Sequence, residues 1–340
     1  MKGLFLTEVG RLELWEVPVP KVTTGMVRIR VCRAGVCSTD VGYWRSGSPR
    51  LRLPVILGHE VSGVIEETAP DVEQFHIGDR VIVTNDYYLC GTCRYCRNGA
   101  VNMCVERRSI GSAENGAFAE YMVVPAKMVL KLPDALSFEE GALAEVIACG
   151  VHVLRRQAPV SPGDVVLVVG PGIMGITTAL VAKAMGCRVI LAGLSKDTLR
   201  LQTARELDIP YVVNSEKENL AAIVNEVSGH YGADVTVDGT GSYAALEECM
   251  RLTAKRGAVV QLAVPRGRSG IDLSPILQKE LRYVGSYAKV HQDWDVTLRL
   301  MTEGKVNCAP LISAQLPLEA YEEAFRRMAA AEELKMMFCF

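Results

Sequence analysis

The spacing of apolar and polar residues changes character near the middle of the chain. Before residue 130, MVRIRV (26–31) alternates with period two, and DRVIVTN (79–85) and AEYMVVP (119–125) are rich in β-forming residues. Glycine and proline recur between these stretches, as expected for turns. The first part of the chain is therefore predicted to be mainly β.

After residue 163 the pattern becomes one of strands alternating with helices. DVVLVVG (164–170) is a continuous apolar run typical of a strand covered on both faces, and IMGITTALVAKAMG (173–186) predicts a helix that ends at Gly186. Further strands are predicted at RVILAG, ADVTVDGTG, GAVVQLAV and RYVGSYA. After RVILAG, Ser195 is predicted to cap a helix that carries Leu199, Ala204 and Leu207. This alternation indicates βαβ units and a parallel sheet. The last apolar stretch, MMFCF, is suited to a strand that returns to the first part.

Composition excludes several classes of function. The 340 residues suit about two domains, and a formal net charge of −2 provides no broad basic field for nucleic acid or an anionic membrane. No window reaches the roughly 18 uninterrupted apolar residues of a membrane span, and the N-terminal apolar stretch is too short for a signal peptide. We therefore predict a cytoplasmic protein with no nucleic-acid or membrane partner.

A glycine-rich loop follows the first strand of the βαβ region. Gly170, Gly172 and Gly175 have G-x-G-x-x-G spacing, with Ile173 and Met174 between the last two. Such glycines permit a tight turn and close approach of the backbone to a pyrophosphate at a helix N-terminus. The context favours a dinucleotide site. The alternative is a turn that serves only helix–strand packing.

Four of the eleven cysteines are clustered. Cys90, Cys93, Cys96 and Cys104 follow the pattern C-x2-C-x2-C-x7-C in a segment with few apolar residues. Four thiolates closing a tetrahedral zinc would stabilise such a segment and leave no open coordination position. We predict a structural zinc here, with an iron–sulfur cluster as the alternative.

A second metal site cannot be derived from spacing alone. Cys37, His59, Glu60 and Glu145 carry suitable ligand atoms, but they are far apart in the chain. A catalytic zinc needs about three protein ligands and a vacant position. Taken singly, each residue is better explained by ordinary packing or hydrogen bonding than by metal binding.

The order of motifs resembles a known family. GVCSTDVGYW, GHEVSGVI, the four-cysteine segment, EEGALAEVIACGVHVLRR and VLVVGPGIMG together resemble the zinc-dependent medium-chain alcohol dehydrogenases over essentially the whole chain, most closely the sorbitol (polyol) and threonine branches. The resemblance implies an α/β fold with a β-barrel. A GroES-like catalytic domain is expected at 1–155 with a zinc lobe at 88–106, a Rossmann domain at 156–288, and a return to the catalytic domain at 289–340.

The resemblance also implies roles for individual residues. Cys37, His59 and Glu145 match the catalytic zinc ligands, and Glu60 matches a neighbouring carboxylate that either stays outside the metal or exchanges onto it. Thr39 occupies the relay hydroxyl position, and Tyr43 lines the substrate pocket. Many relatives continue the relay with a histidine where this chain has Gly42. The proton is therefore expected to leave by a shorter path or through another base, for which Glu60 is a candidate.

The nucleotide site departs from the NAD-specific pattern. Gly193 stands where such proteins place an acid on the adenosine ribose, and Ser195, Lys196 and Arg200 follow it. A missing carboxylate and two nearby cations favour the 2′-phosphate of NADP, although NAD stays an alternative. The full set of expected cofactor contacts is Gly170, Gly172, Ile173, Met174, Gly175, Gly193, Ser195, Lys196, Arg200, Thr240, Ala263, Ser286 and Tyr287.

The predicted function is a zinc-dependent oxidoreductase. It would transfer a hydride between NAD(P) and a secondary alcohol of a polyol, sugar or sugar acid, in a homodimer or homotetramer. A threonine-type amino alcohol is the alternative substrate. A non-catalytic NADP(H)-binding protein of the same fold and a zinc-free quinone or enoyl reductase are alternatives of other classes.

Overall fold

The computed structural model describes residues 1–265, 267 and 270–340. Its backbone separates into two compact units, Met1–Glu145 with Leu311–Phe340, and Val146–Pro310. The boundaries expected at 155 and 288 both fall inside the second unit. A hydrogen bond between His152 and Asp293 explains the difference. It joins the end of one helix to the start of another, so both helix ends belong to the second unit.

The regular elements are numbered here in chain order. The strands are β1 (Lys2–Glu8), β2 (Arg11–Glu16), β3 (Met26–Val36), β4 (Val55–Ile56), β5 (Glu60–Thr68), β6 (Arg80–Val83), β7 (Asp86–Tyr88), β8 (Arg108–Ser109), β9 (Tyr121–Pro125), β10 (Val129–Lys131), β11 (Val165–Val169), β12 (Arg188–Gly193), β13 (Tyr211–Asn214), β14 (Ala233–Asp238), β15 (Thr253–Gln261), β16 (Arg282–Gly285), β17 (Ala314–Pro317) and β18 (Met336–Cys339). The helices are α1 (Ser38–Ser46), α2 (Arg94–Arg97), α3 (Phe138–His152), α4 (Ile173–Ala184), α5 (Thr198–Glu206), α6 (Leu220–Ser228), α7 (Tyr243–Leu252), α8 (Ser274–Gln278), α9 (His291–Thr302) and α10 (Tyr321–Ala329).

The first unit is built around the long strand β3. Its main sheet has the order β10-β6-β5-β3-β18-β17, and β9 also pairs with β3. The C-terminal strand β18 lies antiparallel to β3, with Met336 opposite Val36. From Met26 to Val31 alternate residues are buried because every second side chain of a strand points to the core, whereas four of the five residues 32–36 are buried. Phe118 packs edge-to-face on Phe338, with ring centroids 5.0 Å apart, at the centre of this core.

The second unit contains a parallel sheet with the order β13-β12-β11-β14-β15-β16. Counted within the unit this is 3-2-1-4-5-6, the order of doubly wound dinucleotide-binding domains, and the order reverses between β11 and β14. Four of the five residues of β11 are buried, as its unbroken apolar sequence predicts. In sheets of this kind, ligands bind outside the carboxyl ends of the strands, at the point where the strand order reverses.

Among the described residues, no helix combines the length and apolar character needed to cross a bilayer.

Candidate functional site

Three potential metal ligands meet where β3 ends and β5 begins. Cys37 directly follows β3, and Glu60 is the first residue of β5. The two strands pair antiparallel with Gly35 opposite Glu60, so the C-terminal end of β3 lies beside the N-terminal end of β5. The Cys37 Sγ, an imidazole nitrogen of His59 and a Glu60 carboxylate oxygen all lie within 4.8 Å of one another. Strand pairing therefore brings together residues that sequence spacing could not connect.

Asp40 fixes the orientation of this group. Its carboxylate is fully buried and accepts the backbone N–H of Cys37 at 2.9 Å and that of Gly58 at 3.2 Å. It also lies 3.4 Å from Nδ1 of His59, which leaves the other ring nitrogen available to a metal. Burial lowers the pKa of His59, but the Asp40 carboxylate outweighs burial and holds that pKa well above 6.5. Sequence reasoning missed Asp40, although an acid three residues after Cys37 is the signal of a capping box.

Lys335 is a second residue that sequence reasoning missed. Its Nζ lies 2.6 Å from Oε1 and 2.7 Å from Oε2 of Glu60, and both side chains are at most 1 % exposed. The ammonium also donates to the carbonyl of Val36 at 3.3 Å. Burial lowers the pKa of Lys335, but the carboxylate of Glu60 overcomes this effect and raises it above 10.5. The pair is separated by 275 residues, so only the return of the chain before β18 reveals it.

Glycine is required opposite this ion pair. A Cβ on Gly35 would lie 2.0 Å from Oε2 of Glu60. Any larger residue would push the carboxylate out of the position in which Lys335 holds it. The glycine in AGVCSTD is therefore part of the site.

Glu145 lies within α3 and is 7 % exposed. Its Oε1 accepts a hydrogen bond of 3.0 Å from Nδ2 of Asn85, and its charge contributes to the raised pKa of Lys335. It therefore lies in the electrostatic neighbourhood of the Glu60–Lys335 pair, but it is not a member of the group whose ligand atoms all lie within 4.8 Å. Oδ1 of Asn85 is buried without a hydrogen-bond partner among the described residues.

The four clustered cysteines converge as a set. The Sγ atoms of Cys90, Cys93, Cys96 and Cys104 all lie within 4.8 Å of one another. Backbone N–H groups point at the sulfurs, with Cys93 N–H donating to Cys90 Sγ at 3.4 Å. The N–H of Cys96 lowers the pKa of the Cys93 thiol to about 6. Donors aimed at thiolates and four sulfurs at this separation fit a tetrahedral metal site.

The glycine loop is shaped for backbone contact. Gly170 has φ of +103°, which favours glycine, and a Cβ on Gly175 would lie 2.0 Å from the Gly170 carbonyl oxygen. A Cβ on Gly172 would meet nothing within 4 Å. The loop therefore packs through its first and third glycines and leaves open space at the second, as a pyrophosphate cradle requires.

The other expected cofactor contacts follow the carboxyl ends of the parallel strands. Thr240 follows β14 and donates its hydroxyl to Asp238 at 2.6 Å, and the N–H of Ala263 bonds the carbonyl of Asp238. Ser286 and Tyr287 follow β16, and Ile173 and Met174 open α4. The structure therefore places them along one edge of the sheet.

The predicted cations at the ribose end differ in their surroundings. Arg200 pairs with Asp197 at 3.7 Å, whereas Lys196 is exposed. Ser195 lies in a 3-10 turn, Ser195–Asp197, and α5 begins only at Thr198, so Ser195 does not cap that helix.

Thr39 and Tyr43 lie on α1, close to Cys37 in the chain. Thr39 is exposed, and its N–H donates to Cys37 Sγ at 3.4 Å. Tyr43 packs against the core of the first unit. Trp44 makes an edge-to-face contact with Phe325 at 5.8 Å, which gives it a packing role. A Cβ on Gly42 would meet nothing within 4 Å, so this position is open.

A parallel sheet with a glycine loop and a β-sheet unit with two clusters of metal-ligating side chains are typical of a metal- and dinucleotide-dependent oxidoreductase. Residues 23–134 match the alcohol dehydrogenase GroES-like domain, and residues 174–303 match the zinc-binding dehydrogenase model. The chain is 32% identical over 340 residues to D-arabitol-phosphate dehydrogenase of Enterococcus avium, covering 99% of this chain and 97% of that protein. It is 33% identical over 340 residues to sorbitol dehydrogenase of Halalkalibacterium halodurans, covering 99% and 98%.

A solved structure agrees with these matches. The fold is similar to that of 2R,3R-butanediol dehydrogenase from Bacillus subtilis, with a TM-score of 0.91, 26% identity, and coverage of 100% of this chain and 99% of that chain. The chain belongs to the zinc-binding alcohol dehydrogenase family. It is an NAD(P)-linked dehydrogenase whose cofactors are zinc and NAD(P). The predicted family, fold class, enzyme class and cofactors are thereby confirmed.

Proposed function

We propose that this enzyme interconverts a secondary alcohol of a polyol and the corresponding ketone, at a zinc held by Cys37, His59 and Glu145. The observation that carries the proposal is the convergence of the Cys37 Sγ and a His59 ring nitrogen within 4.8 Å of each other and of Glu60. Because Lys335 engages both oxygens of Glu60, the third ligand is assigned to Glu145, whose charge acts on the same lysine. A thiolate, an imidazole and a carboxylate form a donor set suited to catalytic zinc.

The residues around that metal have different roles. When bound, zinc would supply a Lewis acid toward an alcohol hydroxyl, and NAD(P) would supply the hydride acceptor. Asp40 holds His59 in the orientation for binding. Lys335 engages both oxygens of Glu60, which supports a positioning role for Glu60 and argues against its use as the general base.

The proton of the alcohol leaves through Thr39. The hydroxyl of this residue is on the first turn of α1, and the residue is exposed, so it can pass a proton from the substrate to water. Gly42 provides no further relay group. A path of one hydroxyl and solvent therefore replaces the longer relay of many relatives.

The second cluster holds a structural zinc. Cys90, Cys93, Cys96 and Cys104 use all four tetrahedral positions, so this metal stabilises the segment 88–106 and takes no part in the reaction.

The relatives support a polyol or polyol phosphate as substrate, because the two sequence matches act on D-arabitol phosphate and sorbitol, as named. Two of the arginines near α1, Arg45 and Arg52, lie beside other side chains. Arg45 lies 5.9 Å from the ring of Trp44, and Arg52 lies 4.0 Å from Glu114. An unphosphorylated polyol is therefore the preferred substrate class.

Steady-state kcat/KM values across a panel test this proposal. Zinc-replete enzyme is assayed with NAD and NADP against free polyols, polyol phosphates, sugar acids, threonine and simple secondary alcohols. The proposal expects the highest kcat/KM with a free polyol. A clear preference for threonine or a polyol phosphate would replace the substrate assignment, and no turnover with any alcohol would overturn the proposed function.

A pair of variants tests the proton path with the best substrate. Thr39→Val is expected to lower kcat by about 100-fold, since a positioned proton-transfer group contributes about 10²–10⁴-fold. Thr39→Ser keeps the hydroxyl and should stay near wild type. Equal effects of both variants would contradict the role of the hydroxyl.

A further inference from the structure

The absence of an acid at Gly193 has a packing cause. A Cβ at this position would lie 2.7 Å from Cγ and 2.9 Å from Cδ of Pro171, and 3.1 Å from Leu201. Pro171 is part of the phosphate loop, directly after Gly170. A side chain at Gly193 would therefore displace that loop. The loss of the ribose acid is a consequence of how Pro171 packs, and it does not by itself select NADP.

Another carboxylate reaches the same edge of the sheet. Glu216 lies in the loop after β13, the strand that pairs with β12. Its Oε2 accepts the backbone N–H of Ser195, two residues after Gly193, at 2.6 Å. The Ser195 hydroxyl is a second donor to this carboxylate. An ionised carboxylate has about four acceptor positions, so it can also accept from a ribose hydroxyl.

The backbone around Glu216 is anchored to the end of β12. The N–H and the hydroxyl of Ser215 both donate to the carbonyl of Gly193, at 2.9 Å and 3.1 Å. The N–H of Glu216 donates to Oδ1 of Asn214 at 3.1 Å, and Nδ2 of Asn214 donates to the Ser195 hydroxyl at 3.2 Å. These bonds set Glu216 at the end of β12, where dinucleotide-binding domains place the adenosine ribose.

We propose that Glu216 is the residue that discriminates between NAD and NADP, supplying from β13 the carboxylate that Gly193 cannot carry. Its charge repels a 2′-phosphate, and a 2′-phosphate that used the Ser195 N–H would have to displace it. With NAD, the carboxylate accepts from the ribose hydroxyls. The enzyme therefore prefers NAD, which reverses the preference expected from Gly193, Lys196 and Arg200.

The surrounding charges agree with an ionised carboxylate. The pKa of Glu216 is lowered by the Ser195 N–H and then by the Ser195 hydroxyl, with smaller contributions from Lys196 and Lys217. Arg200 is in an ion pair with Asp197. The cations expected to bind a phosphate thus lie beside fixed carboxylates.

Equilibrium binding of NAD and NADP to the zinc-loaded enzyme tests this inference, which rests on dinucleotide binding at the glycine loop. Kd values are measured by calorimetry for wild type, Glu216→Gln and Glu216→Lys. Glu206→Gln is the matched control, because it removes a carboxylate from the exposed end of α5 that is bonded to Gln202 and not to Ser195.

The ratio of Kd for NADP to Kd for NAD is expected to exceed one in wild type. It should fall by about tenfold in Glu216→Gln, and further in Glu216→Lys, from removal of a like-charge interaction at close range. The control should change it by less than about twofold. An unchanged ratio in both Glu216 variants, or the same change in the control, would overturn the inference while leaving the proposed function intact. Failure of wild type to bind either dinucleotide would overturn both.

Discussion

Lys335 is the counter-charge of a carboxylate that has no access to water. The two side chains are buried together, and Glu60 receives both of its shortest bonds from one ammonium group. Removing one member of a buried ion pair leaves an uncompensated charge, which is far more destabilising than removing both members.

Lys335→Met is accordingly expected to lower the free energy of unfolding by about 3–5 kcal/mol, measured by urea denaturation of the holoenzyme. The double variant Glu60→Gln/Lys335→Met should lose less, because no charge is stranded. Lys305→Met is the control, since Lys305 pairs with Glu303 at the surface and its loss should change the free energy of unfolding far less. A loss in Lys335→Met no larger than in this control would contradict the assigned pairing.

Single residues were predictable where a local motif carried them. The glycine loop and the four cysteines have short, fixed spacings, and the structure brings each set together. Asp40 has a local signal, the capping box with Cys37, but its contact with His59 depends on tertiary structure. The pairing of Lys335 with Glu60 joins residues 275 apart and has no local signal. Gly193 was noticed, but its packing against Pro171 requires coordinates.

At the scale of elements, the junction of α3 and α9 is held by buried polar groups. Oδ2 of Asp293 lies 2.7 Å from Nδ1 of His152 and accepts the N–H of Val290 at 3.0 Å. Burial alone raises the pKa of the Asp293 carboxyl, but the bond from His152 and that from Val290 outweigh it, so the pKa lies below 3.8. A lowered folded-state pKa means that this carboxylate stabilises the fold above about pH 4 and that the contribution is lost as the pH falls through the folded-state value.

Asp293→Asn is therefore expected to lower the free energy of unfolding by about 1–3 kcal/mol at pH 7, and the difference from wild type should shrink on acidification below about pH 4. Urea denaturation between pH 7 and pH 3 measures it. Asp295→Asn is the control, since Asp295 lies on the same helix but is exposed. A difference in the free energy of unfolding between wild type and Asp293→Asn that does not change with pH would contradict the role of the ionised carboxylate.

Strands were predicted more reliably than helix starts. The runs at 164–170 and 188–193 correspond to β11 and β12, because buried strands carry unbroken apolar sequence. The predicted cap at Ser195 was wrong, since the chain first makes a 3-10 turn and α5 begins at Thr198. Polar residues such as Ser195 and Asp197 can satisfy several turn geometries, so the sequence alone does not choose among them.

At the scale of the whole molecule, the two compact units carry different parts of the function. The first unit holds both clusters of metal-ligating side chains, and the second holds the glycine loop. The general architecture was predictable because hydrophobic periodicity and motif order are distributed along the whole chain. The return of MMFCF to the first part was expected, but its partner strand β3 and the register of Met336 opposite Val36 came only from the structure. A homodimer or homotetramer stays a prediction, which the molar mass measured by light scattering would test.

Zinc content per chain tests the central claim most directly. Elemental analysis of zinc-replete protein is expected to find two zinc ions in wild type. Cys37→Ala should retain about one, remain folded and lose dehydrogenase activity, whereas Cys339→Ala, which alters a cysteine outside both clusters, should retain two. A wild-type content below two, or a Cys37→Ala variant that keeps both ions, would contradict the assignment of a catalytic zinc to Cys37, His59 and Glu145.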